Sequence, residues 1–188
     1  SDLLGTSTAR AALIGARGPE LVRADDGAAS VPVVVSVQAD GDLVGQEALF
    51  VAATRPDAVV RSFTRMLGQP FENAQVRALS NALCVRRPDG GVAVQIGVRM
   101  RDPEDLTAIL IGHLCDLARG QAGARPAAAT FVLPIWFDQR AEMALADAAA
   151  RAKIGIEKTV SEAHAAALTV SEAKGDIERR VVIADVGA

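Results

Sequence analysis

The chain has 188 residues, half of them hydrophobic and 23% charged, with a net charge of −3. That length supports one good core or two small subdomains, and the composition is that of an ordinary globular protein. The slightly acidic balance offers no global basic field for nucleic acid, and no apolar run reaches the ~18 residues that a bilayer span requires.

The chain begins Ser1-Asp2-Leu3-Leu4-Gly5-Thr6, with no basic region ahead of an apolar one, so it does not read as a secretory signal. Thr8 to Gly15 and Glu20 to Arg23 read as the strands of a hairpin, with Arg17-Gly18-Pro19 as its turn. Val31 to Val37 is a β-branched run that predicts a strand. Asp40-Gly41 follows as a turn, and Leu43-Val44-Gly45 leads into a helical pattern from Gln46 to Thr54, ended by Arg55-Pro56. Val60 to Leu67 reads as a second short helix stopped by Gly68 and Pro70.

Leu83 to Arg86 and Val92 to Val98 flank the turn Pro88-Asp89-Gly90-Gly91, a second hairpin. The clearest helix follows. Asp102 caps it, Pro103 sits in its first turn, and Glu104 and Asp105 complement its dipole. Leu106, Ile109, Leu110, His113, Leu114 and Leu117 keep its stripe, and Arg119-Gly120 ends it. Ala129 to Leu133 is a strand closed by Pro134. Asp138 starts an alanine-rich helix terminated by Gly155, and Gly155 to Val160 is extended. Ser161 caps a further helix through Leu168, and Arg180 to Val186 is a β-branched strand. The order implies a mixed sheet with helices on it and an α/β piece inserted between about residues 33 and 102. Cys84 and Cys115 lie in apolar patterns without a CxxC, which suits buried free thiols in a reducing, cytosolic setting rather than a disulfide or metal site.

Three constellations could carry chemistry. Gly5-Thr6-Ser7-Thr8 lies at a turn between two predicted strands, where backbone N–H groups and hydroxyls can meet an anion; the alternative is an ordinary hairpin turn. Val181 to Ile183 is an apolar strand delivering Asp185 and then Gly187, a geometry suited to a carboxylate that holds a metal-bound water or takes a proton in phosphoryl transfer; the alternative is a strand-ending turn. Glu162, in the first turn of its helix, serves either the dipole or catalysis. His113 and His164 read as structural rather than as ligands.

Taken together and in order, these pieces resemble the seventy-kilodalton heat-shock (DnaK-type) chaperone family. Leu4-Gly5-Thr6-Ser7 resembles its first phosphate signature, Asp-Leu-Gly-Thr-Thr. Ala24-Asp25-Asp26-Gly27 with Val31-Pro32 resembles Asn-Asp-x-Gly…Thr-Pro-Ser. Leu43-Val44-Gly45 matches Leu-(Ile/Val)-Gly, and Arg65-Met66-Leu67-Gly68 resembles Arg-Leu-Ile-Gly. Pro103-Glu104 opens a helix as the family's Pro-Glu-Glu does. Val132 to Phe137 resembles Val-Pro-Ala-Tyr-Phe, Glu162 to Leu168 resembles Asn-Glu-Pro-Thr-Ala-Ala-Ala, and Ile183 to Gly187 resembles Phe-Asp-Leu-Gly-Gly.

The resemblance implies an actin-like ATPase (ribonuclease H-like) α/β lobe. Residues 1–32 and 103–188 would form subdomain IA and residues 33–102 the inserted subdomain IB, with the second lobe and peptide-binding domain absent. It implies ATP or ADP with Mg²⁺, held weakly by an isolated lobe. Gly5, Thr6, Ser7 and Gly187 would meet phosphate, and Glu162 and Asp185 would be catalytic and hold the metal through water. It also implies a J-domain co-chaperone, unfolded or nascent polypeptide and a cytoplasmic setting, with no nucleic acid or membrane partner.

Departures accompany the matches. Leu3 stands where the family has a metal-orienting aspartate, and Thr64 where it has the lysine that assists attack on the γ-phosphate. Ala163 and His164 replace proline and threonine, and Ala188 replaces a phosphate-loop glycine. A threonine supplies no fixed positive charge, and charge stabilisation is most of what such a site does. The pattern is that of an atypical member, with the ribosome-associated type as the nearest flavour, and it predicts weak or absent hydrolysis. The alternative is a nucleotide-independent module that binds a co-chaperone. A sugar-kinase reading would need a substrate aspartate for which the middle of the chain offers no motif.

Overall fold

A computed structural model describes residues 2–4, 7–15, 18–79 and 81–174. The first segment holds β1 (Asp2–Leu4), β2 (Thr8–Arg10), β3 (Ala12–Gly15), β4 (Gly18–Leu21) and β5 (Val31–Pro32). The apolar run expected as one strand from Thr8 is interrupted at Ala11. β2 pairs antiparallel with β1 and β5, whereas β3 and β4 make a separate hairpin.

The middle segment contains β6 (Val34–Ser36), β7 (Leu43–Val44), α1 (Gln46–Thr54), β8 (Val59–Arg61), a 3-10 turn over Phe63–Met66, α2 (Ala74–Leu79), β9 (Leu83–Arg86), β10 (Val92–Ile96) and β11 (Arg99–Arg101). Helix α1 has the predicted bounds. The Val31–Val37 run does not stay in one sheet: β5 belongs with β2, and β6 pairs with β7 and β8. Val60–Leu67 is not a helix. Its β-branched start joins β6, Ser62 turns in the left-handed region at φ 56°, and only then does the 3-10 turn begin. β-branched residues favour the pleated surface over the helix, and the neighbouring strand decides between them. The second hairpin forms as expected, extended by β11, and α2 falls where no periodicity announced it.

The last segment holds α3 (Pro103–Ala122), β12 (Ala128–Leu133), α4 (Gln139–Arg151), β13 (Gly155–Ser161) and α5 (Glu162–Lys174). Helix α3 runs past Gly120 and stops at Gly123, whose φ of 76° supplies the left-handed cap. Asp138 caps α4 as predicted: the Ala141 N–H donates to its Oδ1 at 2.9 Å. The helix ends before Gly155, however. Lys153 takes the left-handed position at φ 57°, with Ile154 N–H donating to Ala149 O and Lys153 N–H to Ala150 O, both at 3.0 Å. This is the Schellman arrangement with lysine where glycine is usual. Lys153→Gly should raise the unfolding free energy by about 0.5–1 kcal/mol, the relief of left-handed strain exceeding the added unfolded-state entropy. Urea denaturation checks this, and no gain would contradict it.

Among the described residues the largest sheet has the order β13-β12-β1-β2-β5. It is parallel on the β13-β12-β1 side and antiparallel beyond, the mixed sheet that was expected. Helix α3 packs against α4, β3, β6, β7, β10 and the 3-10 turn, so its buried Leu106, Leu110, Ile111 and Leu114 join both halves of the chain into one core with Phe63, Met66, Phe131 and Leu145. Two side-chain amides finish open backbone. Asn81 accepts from Arg61 N–H at 2.9 Å and donates to Val59 O at 2.8 Å, along the edge strand β8. Gln121, on α3, accepts from Arg23 N–H at 2.7 Å and donates to Leu21 O at 3.4 Å, tying the first hairpin to the helix. Arg180–Val186 and Arg179-Arg180 lie outside the described residues.

Candidate functional site at the C-terminal rim of the sheet

Three parallel strands end at one level. Leu3 is paired with Val132, so the next step of the register sets Leu4 level with Leu133, and Leu133 is paired with Ser161. The residues that follow are Gly5, Pro134 and Glu162. Adjacent strands lie about 4.8 Å apart, so the segments leaving β1 and β13 depart from points about 10 Å from each other, with the loop after β12 between them. Crevices at the carboxyl ends of parallel strands are where α/β sheets bind ligands, because loops and helix starts converge there.

Of the residues expected at the site, Ser7 is exposed, and its carbonyl accepts from Val33 N–H at 2.9 Å. Glu162 is half-buried and opens α5. Ser161 caps that helix as predicted, accepting from His164 N–H at 3.2 Å. Gly5, Thr6, Asp185 and Gly187 lie outside the described residues. Strand β1 carries Leu3 in the middle of the sheet, and Thr64 is completely buried within the 3-10 turn.

The rim holds a contact that the sequence did not announce. The Arg65 guanidinium lies 5.3 Å from the centroid of the Trp136 ring, and Trp136 leans on Phe137 with centroids 4.7 Å apart. Trp136 belongs to the loop following β12. Arg65 is far from it in the chain, and no spacing rule links them. The turn that carries Arg65 is fixed from two sides: Leu67 packs with Phe137, Ala141 and Ala144, and Gly68 lies against the backbone at Arg140 and Ala141.

Elsewhere, burial pushes the His113 imidazole below its usual range, against the pull of Asp25, Glu47 and Asp116, so it is neutral at physiological pH, which suits a structural role. Cys115 is buried, Cys84 is half-buried, and neither is held in a disulfide. An apolar cavity of about 370 Å³ touches Cys115, the first hairpin and the starts of β12 and β13, which is the opposite rim of the sheet. Among the described residues no three His, Cys, Asp or Glu side chains cluster as a metal site, and no helix is long and apolar enough to cross a membrane.

A family model described as "Hsp70 protein" matches residues 2–188. The chain belongs to the Hsp70 family. Among curated Hsp70 relatives, the "Chaperone protein DnaK" of Thermus thermophilus is 27% identical over 186 residues, 98% of this chain and 30% of that protein. The protein of the same name from Deinococcus proteolyticus is likewise 27% identical, over 98% of this chain and 29% of its own length. The chain therefore spans about 30% of the length of these relatives and is a divergent Hsp70 member. The family implies the actin-like ATPase fold, in keeping with the mixed α/β architecture.

Proposed function

We propose that the chain is the first lobe of an Hsp70 nucleotide-binding domain that binds ATP or ADP with Mg²⁺ and hydrolyses ATP slowly or not at all. The observation that carries this reading is the shared rim: β1 ends at Leu4, one register step beyond the Leu3–Val132 pair, and β13 ends at Ser161, which is paired with Leu133. Gly5, Thr6, Ser7 and Gly187 would meet phosphate. Glu162 and Asp185 are the candidate catalytic carboxylates. They fit Mg²⁺ as oxygen donors, because the ion keeps most of its waters and needs only one or two protein carboxylates. Thr64 argues against fast turnover, since a threonine buried inside the core presents no cation to phosphate.

Residues 1–32 and 103–188 would form one subdomain and 33–102 an inserted one. The change of sheet between β5 and β6 supports this division. In the intact protein, nucleotide would set the closure of two lobes, and with it the handling of unfolded or nascent polypeptide alongside a J-domain co-chaperone in the cytoplasm.

Calorimetric titration of the intact protein with ATP, with and without Mg²⁺, should give Mg²⁺-dependent binding, and no heat under either condition would sink this reading. The second reading, a nucleotide-independent module that binds a co-chaperone, is favoured by the burial of Thr64 and by Leu3 at the metal-orienting position. Leu3→Asp with Thr64→Lys separates the two. Hydrolysis gained by the double variant speaks for an intact nucleotide scaffold, and continued failure to bind ATP speaks for the module.

A further inference from the structure

We propose that the Asp40-Gly41 step is a site of spontaneous backbone modification, where aspartate converts to isoaspartate through a cyclic imide. The inference does not depend on the nucleotide reading above. The chain has three Asp-Gly steps, Asp26-Gly27, Asp40-Gly41 and Asp89-Gly90. Glycine has no Cβ to hinder approach to its nitrogen, so the three are chemically alike and the fold tells them apart.

Two of them are locked. The Asp26 carboxylate accepts from Ala28 N–H at 2.9 Å, and Gly27 N–H donates to Ala24 O at 2.8 Å. The Asp89 carboxylate accepts from Gly91 N–H at 3.0 Å and from the Arg87 guanidinium at 2.8 Å, and Gly90 N–H donates to Arg87 O at 3.0 Å. At both steps the carboxyl that must be attacked and the nitrogen that must attack are each held by another group. Asp40 and Gly41 are exposed, in the connection between β6 and β7. The start of that connection is anchored: Val37 N–H donates to Ala58 O at 3.3 Å, and Gln38 O accepts from the Arg99 guanidinium at 2.9 Å. Among the described residues, Ala39 to Asp42 form no hydrogen bond, so the Asp40 carboxyl can swing toward the Gly41 nitrogen without breaking one.

The Gly41 nitrogen attacks Cγ of the protonated Asp40 carboxyl and forms an N–Cγ bond. The N–H proton and the carboxyl hydroxyl leave together as water. Water then opens the imide. Cleavage of the new N–Cγ bond restores aspartate, whereas cleavage of the original peptide bond routes the main chain through Cβ and Cγ and leaves a free α-carboxylate. One water leaves, one enters, and no oxidant or reductant is consumed.

The experiment ages the intact protein at neutral pH in heavy-oxygen water, folded and in urea, and locates the products by peptide fragmentation. Opening of the imide places one solvent oxygen in either product, so the label reports each step separately. In the folded protein Asp40 should convert about tenfold faster than Asp26 or Asp89, because each protecting hydrogen bond that must break slows those steps roughly threefold. In urea the three rates should converge. Asp40→Glu should abolish the signal at its position, since the larger ring closes far more slowly. The free α-carboxylate is the group that isoaspartate methyltransferases esterify, so the aged parent should take up more methyl groups from S-adenosylmethionine than aged Asp40→Glu. No conversion at Asp40 in the folded protein, conversion there no faster than at Asp26 or Asp89, or a lead for Asp40 that persists in urea would overturn the inference.

Discussion

Gly68→Ala is expected to lower the unfolding free energy by about 3 kcal/mol, the sum of left-handed strain and overpacking. Gly68 has a φ of 66°, where an L side chain is strained. A Cβ there would also come within 3.0 Å of the Arg140 carbonyl carbon and oxygen and the Ala141 nitrogen. These are backbone atoms of α4's first turn, and they have no rotamer with which to move aside. The helix would have to shift, loosening the contacts of Leu67 with Phe137, Ala141 and Ala144. Urea denaturation should show the midpoint falling by roughly 1–2 M, at the slopes usual for small domains. A change below about 0.5 kcal/mol would mean that α4 yields freely at this point. The same shift would disturb the loop bearing Trp136, so stability and the rim are joined at one glycine.

The second large effect is expected at Arg87. Its guanidinium donates to Glu104 at 3.0 Å and to Asp89 at 2.8 Å, with Asp102 at 3.8 Å, linking the turn of the second hairpin to the first turn of α3. Glu104 has only 11% of its side chain exposed. Burial pushes its carboxyl above the usual range, against the opposing influence of its own backbone N–H and of Arg87. Arg87→Ala removes the main opposing cation and leaves a mostly buried carboxylate unpaired, at a cost of about 2–3 kcal/mol at pH 7. Arg87→Ala with Glu104→Gln should recover much of that loss, and additive losses in the double variant would contradict the coupling.

The pH dependence has a definite sign. A carboxyl whose folded pKa lies above its unfolded value binds more protons when folded, so its protonation favours the native state. The deficit of Arg87→Ala should therefore be largest at neutral pH. It should shrink as pH falls through the raised folded pKa of Glu104 toward the unfolded carboxylate value. A deficit that grows on acidification would contradict the assignment.

What could be read from the sequence was local. Gln46–Thr54, the Asp138 cap and the Ser161 cap each depend on a few adjacent residues, and each forms as predicted. The misreadings required knowledge of neighbours. Val31–Val37 is a valine-rich run interrupted only by Pro32 and Ser36, and the partner strands decide that it changes sheet after Pro32. Val60 joins a strand because β6 lies beside it. Gly120 and Gly155 looked like helix ends, but Gly120 is tolerated inside α3, Gly155 already opens β13, and the left-handed caps fell to Gly123 and Lys153. At the rim, Glu162 and Ser7 stand out through motif order. The meeting of Arg65 with Trp136 was invisible, because it arises only when the 3-10 turn folds over the loop after β12.

The amides of Asn81 and Gln121 have a consequence beyond local bonding. Each satisfies a carbonyl and the N–H two residues later, Val59 with Arg61 and Leu21 with Arg23, which is the service a neighbouring strand would render. An unfilled edge is a template for any extended chain that passes. A protein proposed to work amid unfolded polypeptide meets such chains constantly. Along β8 the template is already occupied by one covalently attached amide at an effectively fixed local concentration, so a stray segment must displace it before it can pair. The protein is in this sense vaccinated against its own surroundings: a dose of strand-like bonding too short to propagate denies the longer, self-extending kind a place to start.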